Sequence, residues 1–173
     1  MDDRLIQDWR DRVVDRVTSF RLGRMDPLWT QRYAIAVDDL DPVYFDRQAA
    51  QQRGYRDIIA PPNYLATLRA APQPGPAECD LLDDGTSPDG RPDVPGLQIM
   101  GGGQSIELVE PVYCGEDIHC DKKVKSINKR AGKQGVMVIV EEELTYRNSE
   151  SAIKMILLNR SIYRYVGGES RDA

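Results

Sequence analysis

The stretch of sequence that decides the fold spans residues 135–147 and reads GVMVIVEEELTYR. Bulky apolar residues occupy alternate positions of this stretch, namely Val136, Val138, Val140, Leu144 and Tyr146. The positions between them in its second half hold Glu141, Glu143 and Thr145. Because successive side chains of a strand point to opposite faces of a sheet, this alternation predicts a β-strand. One face belongs to the core, and the other faces solvent or a covering helix.

Three further strands are predicted around this one. They cover residues 104–109, 117–127 and 152–166, and turns are predicted at residues 113–115, 129–134 and 148–150. Short connections of this kind join antiparallel neighbours. The C-terminal half of the chain therefore indicates an antiparallel sheet.

The N-terminal half carries mostly helical patterns. Apolar residues at helical spacing predict an amphipathic helix over residues 5–20, and Asp46 is expected to begin a short helix within residues 45–52. Pro61 and Pro62 can begin another helix, which ends near Ala71. Residues 29–37 (WTQRYAIAV) predict a strand, because they are rich in aromatic and β-branched residues. Helices early and antiparallel strands late favour an α+β fold with one sheet.

A long polar segment separates the two halves. Residues 71–96 read APQPGPAECDLLDDGTSPDGRPDVPG, which is rich in Pro, Gly, Asp and Ser. This composition predicts a long mobile loop. Because such loops are uncommon within a compact domain, the segment is either a functional lid or the replacement of a structured element.

Length, charge and cysteine content narrow the class of protein. The 173 residues fit one domain, and a net charge of -5 argues against nucleic-acid binding, which needs a basic surface. The absence of a signal peptide or membrane-span pattern predicts a cytoplasmic protein with no membrane partner. Cys79, Cys114 and Cys120 match no paired metal or redox motif, so we expect reduced thiols and no metal site.

Three segments of the chain match one family pattern. Residues 33–46 read YAIAVDDLDPVYFD, residues 54–62 read GYRDIIAPP, and residues 104–117 read QSIELVEPVYCGED. Together they resemble the MaoC-like (R)-specific enoyl-thioester hydratases, whose active-site pattern is Gly-Asp-x-Asn-Pro-(Ile/Val)-His-x-Asp. The resemblance covers residues 29–165, and it is strongest to the N-terminal, fatty-acid-synthase-type dehydratase branch.

The resemblance implies a hot-dog fold, in which a curved antiparallel sheet wraps around one central helix and usually pairs with a second hot dog. It implies a hot-dog domain over residues 29–173, preceded by a helix and lead-in over residues 1–28. Since the predicted helix after Pro61 and Pro62 stops early, the central helix is expected to be shortened.

Laid on this chain, the motif places Asp39 at the catalytic aspartate and Tyr44 at the catalytic histidine. In the family, that aspartate and histidine hold and activate the water that adds to the β-carbon of an unsaturated thioester. A tyrosine phenol, with a pKa of about 10, is a poor substitute for histidine. The only histidine is His119, in a predicted strand. The resemblance therefore implies a degenerate site in which Asp39 is vestigial.

Other residues are predicted to contact the substrate. They are Pro61, Pro62, Asn63 and Tyr64 at the start of the central helix, with Lys129 and Arg130 as contacts for the phosphates of coenzyme A. Basic residues also discourage edge pairing at hairpin ends, so the role of Lys129 and Arg130 stays open. A structural role stays open for Asp39 as a turn cap and for Tyr44 as a packing residue.

These features predict a non-catalytic subunit of a heteromeric (R)-type enoyl-CoA hydratase or 3-hydroxyacyl-thioester dehydratase. Its expected partner is a paralogous hot-dog subunit with an intact Asp/His motif, and its ligand is an acyl thioester of coenzyme A or acyl carrier protein, with no other cofactor. The alternative is a stand-alone acyl-CoA-binding or sensing hot dog. A thioesterase is disfavoured, because residues 64–71 (YLATLRAA) offer no carboxylate on the central helix.

Overall fold

The fold is described from a computed structural model of the chain. The structure describes residues 2–68, 77–81, 85, 92, 94, 96–132 and 135–165. Most of the long loop predicted at residues 71–96 lies outside the described residues.

Five antiparallel strands form one sheet in the order β1-β3-β4-β5-β2. Their bounds are β1 Val17–Arg24, β2 Leu97–Leu108, β3 Asp117–Gly132, β4 Gly135–Asn148 and β5 Ile153–Tyr165. The four predicted strands are confirmed, although β2 begins earlier than expected. Its glycines form a bulge: a Cβ on Gly102 would lie 3.0 Å from the Arg160 carbonyl oxygen, and Gly103 adopts a φ of +99°.

Four short helices accompany the sheet. They are α1 Asp3–Val13, α2 Pro27–Ala36, α3 Arg47–Gln52 and α4 Tyr64–Thr67, with 3-10 turns at Pro42–Tyr44 and Glu78–Asp80. The predicted helix after Asp46 is confirmed as α3, because the Asp46 side chain accepts the Ala49 amide at 2.7 Å. The α+β class is confirmed as well.

The helix predicted over residues 5–20 is wrong in its second half. Helix α1 ends at Val13, and Asp15 then takes a left-handed backbone conformation with a φ of +63°. From Val17 onward the chain is extended and pairs with β3, where Val17 lies opposite Lys123. Val17 and Phe20 continue the helical spacing of α1, but hydrogen bonding to β3 decides their conformation.

The strand predicted over residues 29–37 is also wrong, since these residues lie mostly in helix α2. The Asp26 side chain accepts the Leu28 amide at 2.7 Å, and Pro27 occupies the first helical turn. These two start signals outweigh the aromatic and β-branched composition. The buried residues of α2 are the small Thr30 and Ala34, so the helix gives no apolar stripe that periodicity could detect.

The central helix is short, and it ends before the limit near Ala71 that the sequence predicts. Helix α4 covers only Tyr64–Thr67, and Leu68 already has extended backbone with a ψ of 109°. Its buried residue, Leu65, packs on Ile118, Cys120, Tyr146 and Met155. The expectation of a shortened central helix is therefore confirmed.

Helix α1 packs on the same face of the sheet as α4. In β4 the alternate residues Val138, Val140 and Tyr146 are buried, which confirms the predicted core face; we call it the inner face. Tyr146 belongs to the cluster under α4, whereas Val138 and Val140 pack with Ile6 and Trp9 of α1. The two clusters lie at opposite ends of the inner face, so two helices from distant parts of the chain cover it.

Candidate active site

The turn after α2 holds four aspartates with separate tasks. Asp41 accepts the Val43 amide at 3.1 Å and bonds Arg53, and Asp46 caps α3. Asp38 takes a left-handed conformation with a φ of 57°, which an aspartate tolerates better than most residues. The Asp39 backbone amide donates to the Ala34 carbonyl at 2.9 Å, while its exposed side chain turns to another partner.

That partner is Tyr44. Tyr44 lies in the 3-10 turn, is 7% exposed, and packs in a cluster with Ala34, Val43, Ala50 and Ile59. The Asp39 carboxylate lies close enough to this phenol to act on its hydroxyl. Burial, then the negative charge of Asp39, raise the pKa of Tyr44 to about 12. The structure thus brings together the two residues predicted for the site, and it holds the phenol in its neutral, proton-donating form.

The Asp39–Tyr44 pair differs chemically from an Asp/His pair. A general base must accept a proton near neutral pH, and imidazole does so unperturbed. The Tyr44 oxygen keeps its proton across that range, because burial and the negative charge of Asp39 raise its pKa to about 12. The only histidine, His119, lies in β3 opposite Arg147, on the face opposite the buried Ile118 and Cys120.

We expect the raised pKa of Tyr44 to make stability fall in strong base. Because the folded pKa lies above the unfolded value of about 10, this contribution is complete below pH 10 and is lost as the pH rises toward 12. The free energy of unfolding of the wild type should therefore fall more steeply between these values than that of Tyr44→Phe. Parallel curves for the two proteins would contradict the burial of the Tyr44 phenol beside Asp39.

A cavity of about 210 Å³ lies beside this pair. Its walls are mainly apolar and come from α4, the end of β2 and the start of β5; they include Ala60, Leu65, Leu108, Val112 and Met155. Tyr55 also lines the cavity, and its proximity contributes to the raised pKa of Tyr44. Tyr55 connects the cavity to the pair, and the sequence pattern did not single it out.

The predicted binding residues divide into two groups. Pro62 lines the cavity, Pro61 is buried next to it, and Asn63 precedes α4 with an exposed side chain. The Tyr64 ring packs edge-on against Tyr33 with centroids 5.5 Å apart, and burial raises the pKa of Tyr64.

Lys129 and Arg130 lie elsewhere, near the far end of β3. Twelve residues of extended strand separate Lys129 from Asp117, which is about 40 Å. The Lys129 ammonium binds Asp3 of α1 at 2.6 Å. Within one chain, these two residues are not brought to the Asp39–Tyr44 pair.

A buried lysine borders the cavity, and no sequence pattern indicated it. Lys154 is 4% exposed, and its ammonium lies 3.1 Å from Glu116, 3.3 Å from Glu110 and 3.3 Å from the Pro111 carbonyl oxygen. Glu116 also accepts Arg56 at 2.9 Å and the Tyr113 amide at 2.9 Å. This network ties the start of β5 to the β2–β3 connection that forms one cavity wall.

In the described part of the chain, no helix is long and apolar enough to cross a membrane. No group of three or more His, Cys, Asp and Glu side chains among those residues is arranged to hold a metal ion.

The family model for the FAS1-like dehydratase domain region matches residues 30–154, more than half of the chain. This chain belongs to that dehydratase family. The matched residues include the Asp39–Tyr44 pair, the cavity wall and most of the sheet. The family predicted from the motifs is therefore confirmed.

Relatives of this dehydratase family member share modest identity with it. A UPF0336 protein of Streptomyces avermitilis is 30% identical over 110 residues, which is 62% of this chain and 65% of the relative. The chain thus spans just under two thirds of that protein.

Solved structures confirm the hot-dog fold. The ChsH1-ChsH2 complex from Mycobacterium tuberculosis matches 98% of this chain and 97% of its own with a TM-score of 0.72 at 12% identity. The HadBC (3R-hydroxyacyl-ACP dehydratase) complex of the same organism matches 87% of this chain and 96% of its own chain, with a TM-score of 0.60 at 18% identity. The MaoC-like dehydratase from Rhodospirillum rubrum matches 92% of this chain and 97% of its own chain, with a TM-score of 0.64 at 17% identity.

Proposed function

We propose that this chain is the non-catalytic subunit of a heteromeric (R)-type enoyl-CoA hydratase or 3-hydroxyacyl-thioester dehydratase, and that it helps to bind the acyl chain. The observation that carries the proposal is the Tyr44 phenol, which is buried near the Asp39 carboxylate at the position of the catalytic pair. A dehydratase family member with this arrangement needs a base from another subunit.

The edge strand β2 offers the surface for that subunit. Among the described residues it is hydrogen-bonded only to β5, on one side, and it exposes Ile99 (40%), Ile106 (37%) and Leu108 (55%). A long edge strand with exposed apolar residues pairs readily with another chain. The opposite edge, β1, carries ion pairs instead, such as Arg21 with Asp117.

The inner-face pattern of β2 is symmetric. Pairing with β5 places Leu97, Ile99 and Gly101 on the inner face before the bulge, and Gln104, Ile106 and Leu108 after it. A two-fold axis near Gly102 and Gly103 would set isoleucine opposite isoleucine and leucine opposite leucine. Such like-sized apolar pairs stabilise an antiparallel strand pair. We therefore infer that a second hot dog, with a similar β2, continues the sheet here.

This arrangement gives each end of β2 a different task. The Leu108 end borders this chain's own cavity, and the Leu97 end would face the equivalent cavity of the partner. Lys129 lies toward the Leu97 end, because it lies opposite Val138. Val138 in turn lies opposite Tyr163, and Tyr163 lies opposite Ile99 of β2. A contact of Lys129 and Arg130 with coenzyme A is thus proposed for the thioester held by the partner.

The comparisons support a heteromeric assembly. The ChsH1-ChsH2 and HadBC structures, both similar to this chain in fold, are complexes of differently named hot-dog subunits. The second candidate function is a stand-alone acyl-CoA-binding or sensing protein, which the apolar cavity beside an inactive pair would also serve. The acyl thioester, of coenzyme A or acyl carrier protein, is the only ligand that either function requires.

The test is co-expression with a hot-dog subunit that has an intact Asp/His pair, followed by purification and a crotonyl-CoA hydration assay. We expect the two chains to purify together and the complex to be active. In the complex, Tyr44→Phe should leave the rate nearly unchanged, whereas loss of the partner's histidine should abolish it. An acyl-CoA-binding protein that forms no complex would instead favour the second candidate.

The isolated chain is expected to hydrate crotonyl-CoA no faster than background. Tyr44→His would restore an Asp/His pair, but we expect weak activity at best, because an error of about 1 Å in catalytic geometry can cost about a hundredfold in rate. Any activity gained should vanish in Asp39→Asn with Tyr44→His. Fast turnover by the wild-type chain alone would overturn the proposal.

A further inference from the structure

The inner face of the sheet carries one row of polar side chains between its two apolar clusters. In β4 the residue on this face between Val140 and Leu144 is Glu142. Asn159 of β5 lies opposite Glu142, and Gln104 of β2 lies opposite Asn159. The Lys122 ammonium of β3 lies 3.0 Å from the Glu142 carboxylate.

This polar row contrasts with its surroundings on the same face. On one side lie Cys120, Tyr146 and Leu157 of the α4 cluster, and on the other lie Val140 and Ile127 of the α1 cluster. The Lys122 and Glu142 side chains remain 22% and 21% exposed. Replacing such a partly buried ion pair by apolar residues is often neutral or stabilising, so stability alone gives no reason for a charged pair here.

The row lies on the inner face, further along the strands that form one wall of the cavity. Met155 and Leu108 line the cavity, and two residues further along each strand the inner face carries Leu157 and Ile106. Two residues beyond them are Asn159 and Gln104, about 13 Å from Met155 along the strand. An extended acyl group that enters through the cavity would therefore meet apolar walls first and the polar row at its far end.

We propose that the row of Gln104, Asn159, Glu142 and Lys122 recognises a hydroxyl or carbonyl oxygen on the distal part of the acyl group. The inference rests on the proposed function, because it requires an acyl thioester in the cavity. A hydroxyl can donate to Glu142 or the amide oxygens and accept from Lys122 or the amide nitrogens. A plain methyl end would instead remove water from the charged pair, and it could not replace the hydrogen bonds that the pair makes to that water.

The experiment compares two ligands of equal length, decanoyl-CoA and ω-hydroxydecanoyl-CoA. Binding is measured by calorimetry to the full chain, alone and in complex with its co-purified hot-dog partner. We expect the hydroxylated ligand to bind at least about tenfold more tightly. Lys122→Met combined with Glu142→Leu should remove or reverse this preference, while the melting temperature shows that the variant is folded.

The matched control is the ion pair between Lys125 of β3 and Glu143 of β4, whose ammonium and carboxylate lie 3.2 Å apart. Glu143 belongs to the opposite face of β4, so Lys125→Met with Glu143→Leu should keep the wild-type preference. Equal affinities for the two ligands in the wild type, or a preference that survives in the Lys122 and Glu142 variant, would overturn the inference alone. Failure of both ligands to bind to the chain and to the complex would overturn the proposed function as well.

Discussion

Ile106→Lys is expected to weaken association with a second hot-dog subunit by at least about a hundredfold. Ile106 lies on the edge strand β2 and is 37% exposed, so the substitution changes the fold of the single chain little. In a continuous sheet, the new ammonium would lie opposite an apolar side chain and lose its water without gaining an ion pair. Such an unpaired buried charge costs several kcal/mol.

The matched control for Ile106→Lys is Val17→Lys on the opposite edge. Val17 is also an exposed apolar residue, 59% accessible, and it lies on β1. Sedimentation velocity with the partner subunit measures both variants. If Ile106→Lys associated like the wild type while Val17→Lys did not, the partner would pair with β1 and the assignment of β2 would be wrong.

Lys154→Met is expected to lower the free energy of unfolding by about 3 kcal/mol. The substitution removes the cation 3.1 Å from Glu116, whose side chain is only 10% exposed. Arg56 remains paired with Glu116 at 2.9 Å and limits the loss. Because this network holds the β2–β3 connection against β5, urea unfolding should show the effect directly.

Two further variants separate a buried-charge effect from lost packing. Lys154→Met combined with Glu116→Gln should be destabilised less than the sum of the two single substitutions, because Lys154 and Glu116 interact directly. Lys125→Met breaks an exposed ion pair and should cost no more than about 1 kcal/mol. Equal losses in Lys154→Met and Lys125→Met would contradict the structural importance of the network.

Four strands of the described sheet, β2 to β5, could be predicted from local sequence. Alternation marked the core face of β4 through Val138, Val140 and Tyr146, and the motif placed Asp39 and Tyr44 in one turn. Helix α2 could not be predicted in this way, because its apolar residues face solvent; Leu28, Trp29 and Ile35 are each more than half exposed. Periodicity reports an element only when its apolar stripe faces the core.

What the sequence determined by itself is therefore local: strand alternation, the helix cap Asp46, and a motif in which tyrosine stands at the histidine position. The tertiary structure decided what depends on contacts between distant residues. It placed α1 beside α4 on one face, turned Val17 into a strand and surrounded Lys154 with two carboxylates. It also buried the Tyr44 phenol, which raises its pKa. Burial, shared electrostatic fields and sheet pairing arise only when segments far apart in the chain meet, and so no local pattern encodes them.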